Sequence, residues 1–200
     1  MTVDVIKTIG KIGRWSANRA IGRRQPLIAV FSITHYCNFF CPMCPFGDSD
    51  KEGQIKIAKK NDLTTDQWKI IFDKVSKYCV WSIIEGGEPT SRPDFMELVR
   101  YLYSLKLPIT LITNCSLLHT INLDELKKYI QFITCSIDSV FEESYCKVRG
   151  VTPQMYRKVM ENLKLLNQHN VPHYFNSVIT KYNTEEFINK KYFERARELR

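Results

Sequence analysis

Apolar residues Val5, Ile6, Ile9, Ile12 and Trp15 recur at helical spacing with Lys7, Lys11 and Arg14 between them, which predicts a basic amphipathic helix that Gly22 and Pro26 end. From Leu27 the pattern changes to short β-rich runs separated by longer helical ones. Strands are expected over Leu27 to Thr34, Val80 to Ile84, Pro108 to Thr113, Phe132 to Ile137 and His173 to Thr180. Helices are expected over Thr65 to Lys77, Pro93 to Tyr103, Asp124 to Tyr129, Pro153 to Gln168 and Glu185 to Leu199. Five such alternations call for a mainly parallel sheet with crossover helices, hence an α/β fold. Periodicity alone does not choose between a barrel and an open doubly wound sheet. The unusual segments do help. Cys37 to Cys44, Gly86 to Pro89, Thr113 to Asn114 and Ser136 to Asp138 all follow a predicted strand, where the chemistry of βα barrels collects.

Two regions follow: a basic N-terminal helix over residues 1–26 and an α/β core over residues 27–200. With 200 residues and 44% hydrophobic content the chain can bury a core, which argues against disorder. The net charge of +8 suggests nucleic acid until it is located. Six basic residues against Asp4 give residues 1–24 a net of +5, leaving +3 for the rest, so no nucleic-acid partner is expected. That basic helix suits peripheral contact with an anionic membrane; the competing reading packs its apolar side on the core. No membrane-spanning run or signal peptide is read, and a cytoplasmic location is expected.

Seven cysteines in such a chain are better read as metal ligands or small core residues than as disulfides. His35-Tyr-Cys-Asn-Phe-Phe-Cys-Pro-Met-Cys-Pro45 sets three of them on one loop directly after the first strand. Pro42 and Pro45 stiffen its turns. Three thiolates on a four-iron cluster would leave one iron open to an outside ligand. Zinc is the competing reading, but structural zinc wants four protein ligands and His35 is the sole nearby fourth, poorly placed. Cys79 and Cys135 suit small buried positions; Cys115 and Cys146 lie nearer the functional face, where a redox or auxiliary-metal role stays open.

The C-x3-C-x2-C of Cys37, Cys41 and Cys44 and the Glu85-Gly-Gly-Glu-Pro89 segment together resemble the radical S-adenosylmethionine (SAM) superfamily, in its molybdenum-cofactor and peptide-modifying branch. The resemblance implies a partial (βα) TIM-like barrel, a 4Fe-4S cluster on the three cysteines, and reductive cleavage of SAM to a 5'-deoxyadenosyl radical that takes hydrogen from a substrate. It further implies that Gly86, Gly87, Glu88 and Pro89 line the site of the SAM amine. By the same resemblance Ser136 and Arg149 serve the SAM carboxylate, Asn176 the ribose hydroxyls and Met43 the adenine, and Asp138, in the Ser136-Ile-Asp-Ser139 segment, counts among the cofactor-binding residues. Asn114 sits in a turn similar to the family's T-N-G, with Cys115 in place of the glycine. Such barrels have six strands and this pattern yields five, so a sixth strand is expected from further chain or from a partner. Implied partners are a small-molecule or peptide substrate and an external electron donor of ferredoxin or flavodoxin type. The competing class is a scaffold that keeps a cluster or zinc for stability and partner binding.

Overall fold

The β-rich runs narrow to five short strands: β1 (Ile28–Ser32), β2 (Trp81–Glu85), β3 (Ile109–Thr113), β4 (Phe132–Ser136) and β5 (His173–Asn176). The computed structural model describes residues 5–24, 26–45 and 51–199. All four strand pairings are parallel and the order is β1-β2-β3-β4-β5. That order decides what periodicity left open. A right-handed crossover between each successive pair, with no reversal of direction along the sheet, puts every crossover helix on one face. A doubly wound sheet needs a switch point, and this one has none, so the fold is a partial βα barrel. Among the described residues no sixth strand covers the outer edge of β5.

Alternation along the strands divides their side chains between the two faces. Ala29 and Phe31 of β1, Ile84 of β2, Leu111 of β3 and Ile133 of β4 lie buried beneath the helices. Phe31 meets Trp68 and Phe72 of α3 (Thr65–Val75), with ring centroids 6.2 and 4.8 Å apart. A capping box of Thr64 and Gln67 starts that helix. Phe72 is fully buried, so truncating it to alanine should cost about 3–5 kcal/mol, a fall that chemical denaturation would register; an unchanged midpoint would contradict this packing. The opposite, concave face carries Val30, Ile83, Ile112, Thr134 and Tyr174, and Val30 is 54% exposed there.

The remaining helices are α1 (Val5–Ala20), α2 (Lys51–Asn61), α4 (Phe95–Ser104), α5 (Leu123–Leu126), α6 (Glu142–Arg149), α7 (Pro153–Gln168), α8 (Thr184–Ile188) and α9 (Lys191–Glu198). Thr152 caps α7, whose proline opens it as expected. The single helix expected over Glu185 to Leu199 is two, because Lys190 takes a left-handed backbone with φ of 61°. β5 stops at Asn176 rather than Thr180, because the Val178 N–H donates to Asp138 Oδ1 and Thr180 turns onto Asn183.

Helix α1 forms as expected, and Lys11 Nζ donates to the Lys106 carbonyl near the start of β3, at the end of the barrel opposite the cysteine loop. Its apolar residues are not packed away: Ile9 is 62% and Ile12 43% exposed. Asp4 and the side chains of Val5 and Ile6 lie outside the described residues. No described helix is long and apolar enough to cross a membrane.

Candidate active site

Backbone pairing at the C-terminal ends of β1 and β2 continues beyond the strands and fixes the cysteine loop. The Gly87 N–H donates to the Thr34 carbonyl at 2.8 Å and the Glu88 N–H to the Tyr36 carbonyl at 2.7 Å. Glycine is required by this approach. A Cβ on Gly87 would lie 2.2 Å from the Tyr36 carbonyl oxygen, and Gly86, at φ of 148°, would set one 2.5 Å from the Thr34 carbonyl oxygen. A third glycine holds the loop from the other side. Gly150 ends α6 in a left-handed conformation, and a Cβ there would stand 2.4 Å from the Phe40 carbonyl oxygen. We expect Gly87→Ala to push the cysteine loop off β2 and sharply lower the iron retained after anaerobic reconstitution; parental iron content would contradict this.

Within the loop the Cys44 N–H donates to the Cys41 carbonyl at 3.0 Å. N–H donors approach two of the sulfurs. The Phe39 backbone N–H lies 3.4 Å and Asn114 Nδ2 3.8 Å from Cys37 Sγ, and Arg149 Nη1 lies 3.9 Å from Cys41 Sγ. Hydrogen bonds of this kind stabilise ligating thiolates and tune cluster potentials. Burial pushes the Cys37 thiol up to about 12 and raises Cys41 as well, with Arg149 opposing the latter. Among the described residues no three side chains are drawn close enough to hold a single metal ion. Three cysteines on one loop beside N–H donors are a donor set fitted to a sulfur-bridged cluster with an open iron.

Glu88 is fully buried, and both its oxygens are engaged. Oε1 accepts from the Thr90 N–H at 3.0 Å, from Thr113 Oγ1 at 2.8 Å and from Thr90 Oγ1, while Oε2 accepts from the Asn114 N–H at 2.8 Å. Burial raises this carboxyl and those donors oppose it. Glu88 therefore locks the loop after β2 to the loop after β3, with Pro89 starting a buried 3-10 turn beside it. Asn114 continues the link: Nδ2 donates to Asn38 Oδ1 at 2.9 Å and Oδ1 accepts from the Ser116 N–H. Cys115 adopts φ of 66°, a left-handed backbone that favours glycine, and the whole residue is buried.

Arg149 Nε stands 2.7 Å from Asp138 Oδ2, an ion-pair contact outside the geometry of a directed hydrogen bond. Their side chains are 11% and 0% exposed. Burial pushes the Asp138 carboxyl up, and the Arg149 charge and Val178 N–H pull it back. Ser136 and Asn176 are register partners at the ends of β4 and β5, the first half-buried and the second exposed. Met43 lies 38% exposed in the turn before Cys44. The structure thus gathers Cys37, Cys41, the glycines, Asn114 and Arg149 around one loop and sets Ser136 and Asn176 side by side.

Sequence reasoning gave no role to Asn38 or Thr113, though both lie in segments it singled out, and passed over Asn162. Asn162 is buried on α7 and donates to the Cys115 and Ser116 carbonyls at 2.7 and 3.0 Å, holding the third loop. Its signal was present: a lone amide on the apolar stripe of Val159, Leu163 and Leu166.

Residues 31–190 match the family described as the Radical SAM superfamily. The chain belongs to this superfamily. Its members bind a 4Fe-4S cluster and SAM. Relatives of this radical SAM core include an AdoMet-dependent heme synthase from Methanosarcina barkeri, 30% identical over 176 residues that make 87% of this chain and 48% of that protein. A PqqA peptide cyclase from Bradyrhizobium diazoefficiens is 30% identical over 164 residues, 80% of this chain and 41% of that one. The chain thus spans less than half the length of these two relatives. Among solved structures, Streptococcus suis SuiB bound to S-adenosylmethionine aligns with a TM-score of 0.70 at 21% identity, over 100% of this chain and 45% of that one, a likeness of fold. SuiB bound to its precursor peptide SuiA aligns with a TM-score of 0.70, 21% identity and coverage of 95% and 40%.

Proposed function

We propose that this chain is the SAM-cleaving core of a radical enzyme that modifies a peptide. The observation that carries the reading is the cysteine loop itself, held by three glycine-dependent contacts, with side-chain donors from Asn114 and Arg149 at its sulfurs. Held by Cys37, Cys41 and Cys44, a 4Fe-4S cluster would supply one-electron reductive cleavage of SAM to a hydrogen-abstracting radical, with the electron coming from an external donor of ferredoxin or flavodoxin type. The chain's own share is binding and orientation. Cys37, Cys41 and Cys44 hold the cluster, and backbone carbonyls around Gly86 and Gly87 accept from the SAM ammonium. Ser136 and Arg149 meet its carboxylate, for which a guanidinium fork is suited. Asn176 reaches the ribose and Met43 the adenine. Relatives named as a peptide cyclase and a fold neighbour solved with a precursor peptide support a peptide over a small molecule as substrate. The test is hydrogen transfer: a substrate peptide deuterated at the reacting carbon should deliver deuterium into 5'-deoxyadenosine. Deuterium found only when a non-peptide substrate is supplied would overturn the peptide reading.

A second reading concerns α1. Ile9, Ile12 and Ile21 are exposed on a segment that also exposes Arg14, Arg19, Arg23 and Arg24, which supports peripheral binding to an anionic bilayer. Flotation with phosphatidylserine vesicles should fall when residues 1–24 are removed; equal flotation of both proteins would sink the idea.

A further inference from the structure

The carbonyl end of α1 gathers cations around an opening that the SAM site does not use. Gly22 closes the helix in a Schellman turn: at φ of 78° its N–H donates to the Arg19 carbonyl at 3.1 Å, and the Arg23 N–H donates to the Asn18 carbonyl at 2.9 Å. That turn folds Arg23 and Arg24 back toward the end of the helix. Trp15, Arg19, Gly22, Arg23 and Arg24 consequently line one cleft of about 490 Å³. Arg23 and Arg24 also line a neighbouring cleft with Pro26, Val75 and Tyr78, which seats the turn against the end of α3.

Among the described residues no acidic side chain lines either cleft, and Arg19, Arg23 and Arg24 form no ion pair. The Arg19 guanidinium lies 5.5 Å from the centroid of the half-buried Trp15 ring, a cation–π contact that steadies the side chain without supplying an oxygen acceptor. Three guanidiniums around one opening repel one another unless an anion fills it, and their planar forks match a phosphate. A phosphomonoester offers three acceptor oxygens and close to two negative charges, whereas a phosphatidylserine headgroup carries an ammonium that arginines repel. The neighbouring surface indicates where such a phosphate comes from. Ile12 stands seven residues before Arg19, two turns along one face of α1, with Ile9 beside it, and both are exposed. With those side chains in the acyl boundary, Arg19 and the turn after it stand at headgroup depth.

We propose that this cleft binds the phosphomonoester headgroup of a membrane lipid, with Arg19, Arg23 and Arg24 as donors and Trp15 as the support of Arg19. The inference rests on the reading of α1 as a membrane-contacting helix and narrows it to one headgroup chemistry. The contact of Lys11 with the Lys106 carbonyl sets α1 at the end of the barrel opposite the cysteine loop, so a chain docked this way keeps that loop away from the bilayer.

The test is flotation of the full chain with phosphatidylcholine vesicles carrying either phosphatidic acid or phosphatidylserine, the two mixed to equal zeta potential. Binding to the phosphatidic acid vesicles should be about tenfold tighter. R19K/R23K/R24K keeps every charge and loses the forks, and should bring that ratio close to one. G22A, strained at a left-handed φ, should lower it as well. Equal binding of the parent protein to both vesicles would overturn the proposal. So would a ratio untouched in the triple variant, which would make the attraction one of charge alone. Glycerol 3-phosphate at the concentration of accessible phosphatidic acid should leave the protein on the vesicles, and release by it would assign the cleft to a soluble phosphate instead. The two readings fail distinguishably: no flotation with either vesicle removes the membrane reading and this one with it, whereas equal flotation with both removes only this one.

Discussion

Replacing Cys37, Cys41 and Cys44 together by alanine should abolish iron binding and SAM cleavage while leaving the barrel folded. On the proposed reading the three thiolates are the protein's ligands to the cluster, and metal affinity lost with the ligands cannot be recovered by the shape of the loop. Folding does not depend on them to the same degree. The loop's backbone is held by the Gly87 and Glu88 N–H groups, and the core of Phe72, Ile84, Leu111 and Ile133 lies beneath the helices. Iron analysis after anaerobic reconstitution, with circular dichroism on the same sample, reads both halves. Stoichiometric iron in the triple variant would contradict the assignment, and a collapsed spectrum would give the cluster a folding role that the packing does not.

Asp138→Ala should be the costliest single change outside the hydrophobic core, at about 3–5 kcal/mol of folding stability. The cost arises less from the attraction lost than from what remains. Arg149 would keep its charge in a position only 11% exposed, and the Val178 N–H would lose its acceptor. Asp138→Asn should cost less, because an amide oxygen can still accept from Val178. Pairing the change with Arg149→Met should recover part of the loss, since no unpaired guanidinium then stays behind. Denaturant midpoints for the four proteins measure these differences. An Asp138→Ala midpoint equal to the parent's would show that the ion pair does not hold this end of the barrel.

The strands were legible because runs such as Leu27 to Thr34 and Pro108 to Thr113 are β-rich and bounded by turn residues, and buried parallel strands read as apolar runs. Their lengths were not, because the trimming comes from distant partners: Asp138 captures the Val178 N–H and ends β5 early. Two helices were missed for local reasons. α2 begins Lys-Glu-Gly-Gln and lacks a strong apolar stripe. α6 is eight residues long and buries only Tyr145 and Val148, three positions apart. The cysteine triplet was readable from spacing and place. The roles of neighbouring groups were less so, since Glu88 reads as a free carboxylate in sequence and is enclosed by Thr90, Thr113 and Asn114 in the fold. Arg149 similarly lies 108 residues from Cys41, the sulfur it approaches. No local pattern reports a contact of that separation.

One measurement bears most directly on the account. The anaerobically reconstituted chain is reduced with dithionite, its electron paramagnetic resonance spectrum is recorded before and after SAM is added, and 5'-deoxyadenosine is then quantified. The account predicts a reduced 4Fe-4S signal that changes when SAM binds, followed by 5'-deoxyadenosine in the parent and none in the Cys37, Cys41, Cys44 triple variant. Stoichiometric zinc, no cluster signal and no 5'-deoxyadenosine from the parent would contradict it and leave the metal-binding scaffold in its place.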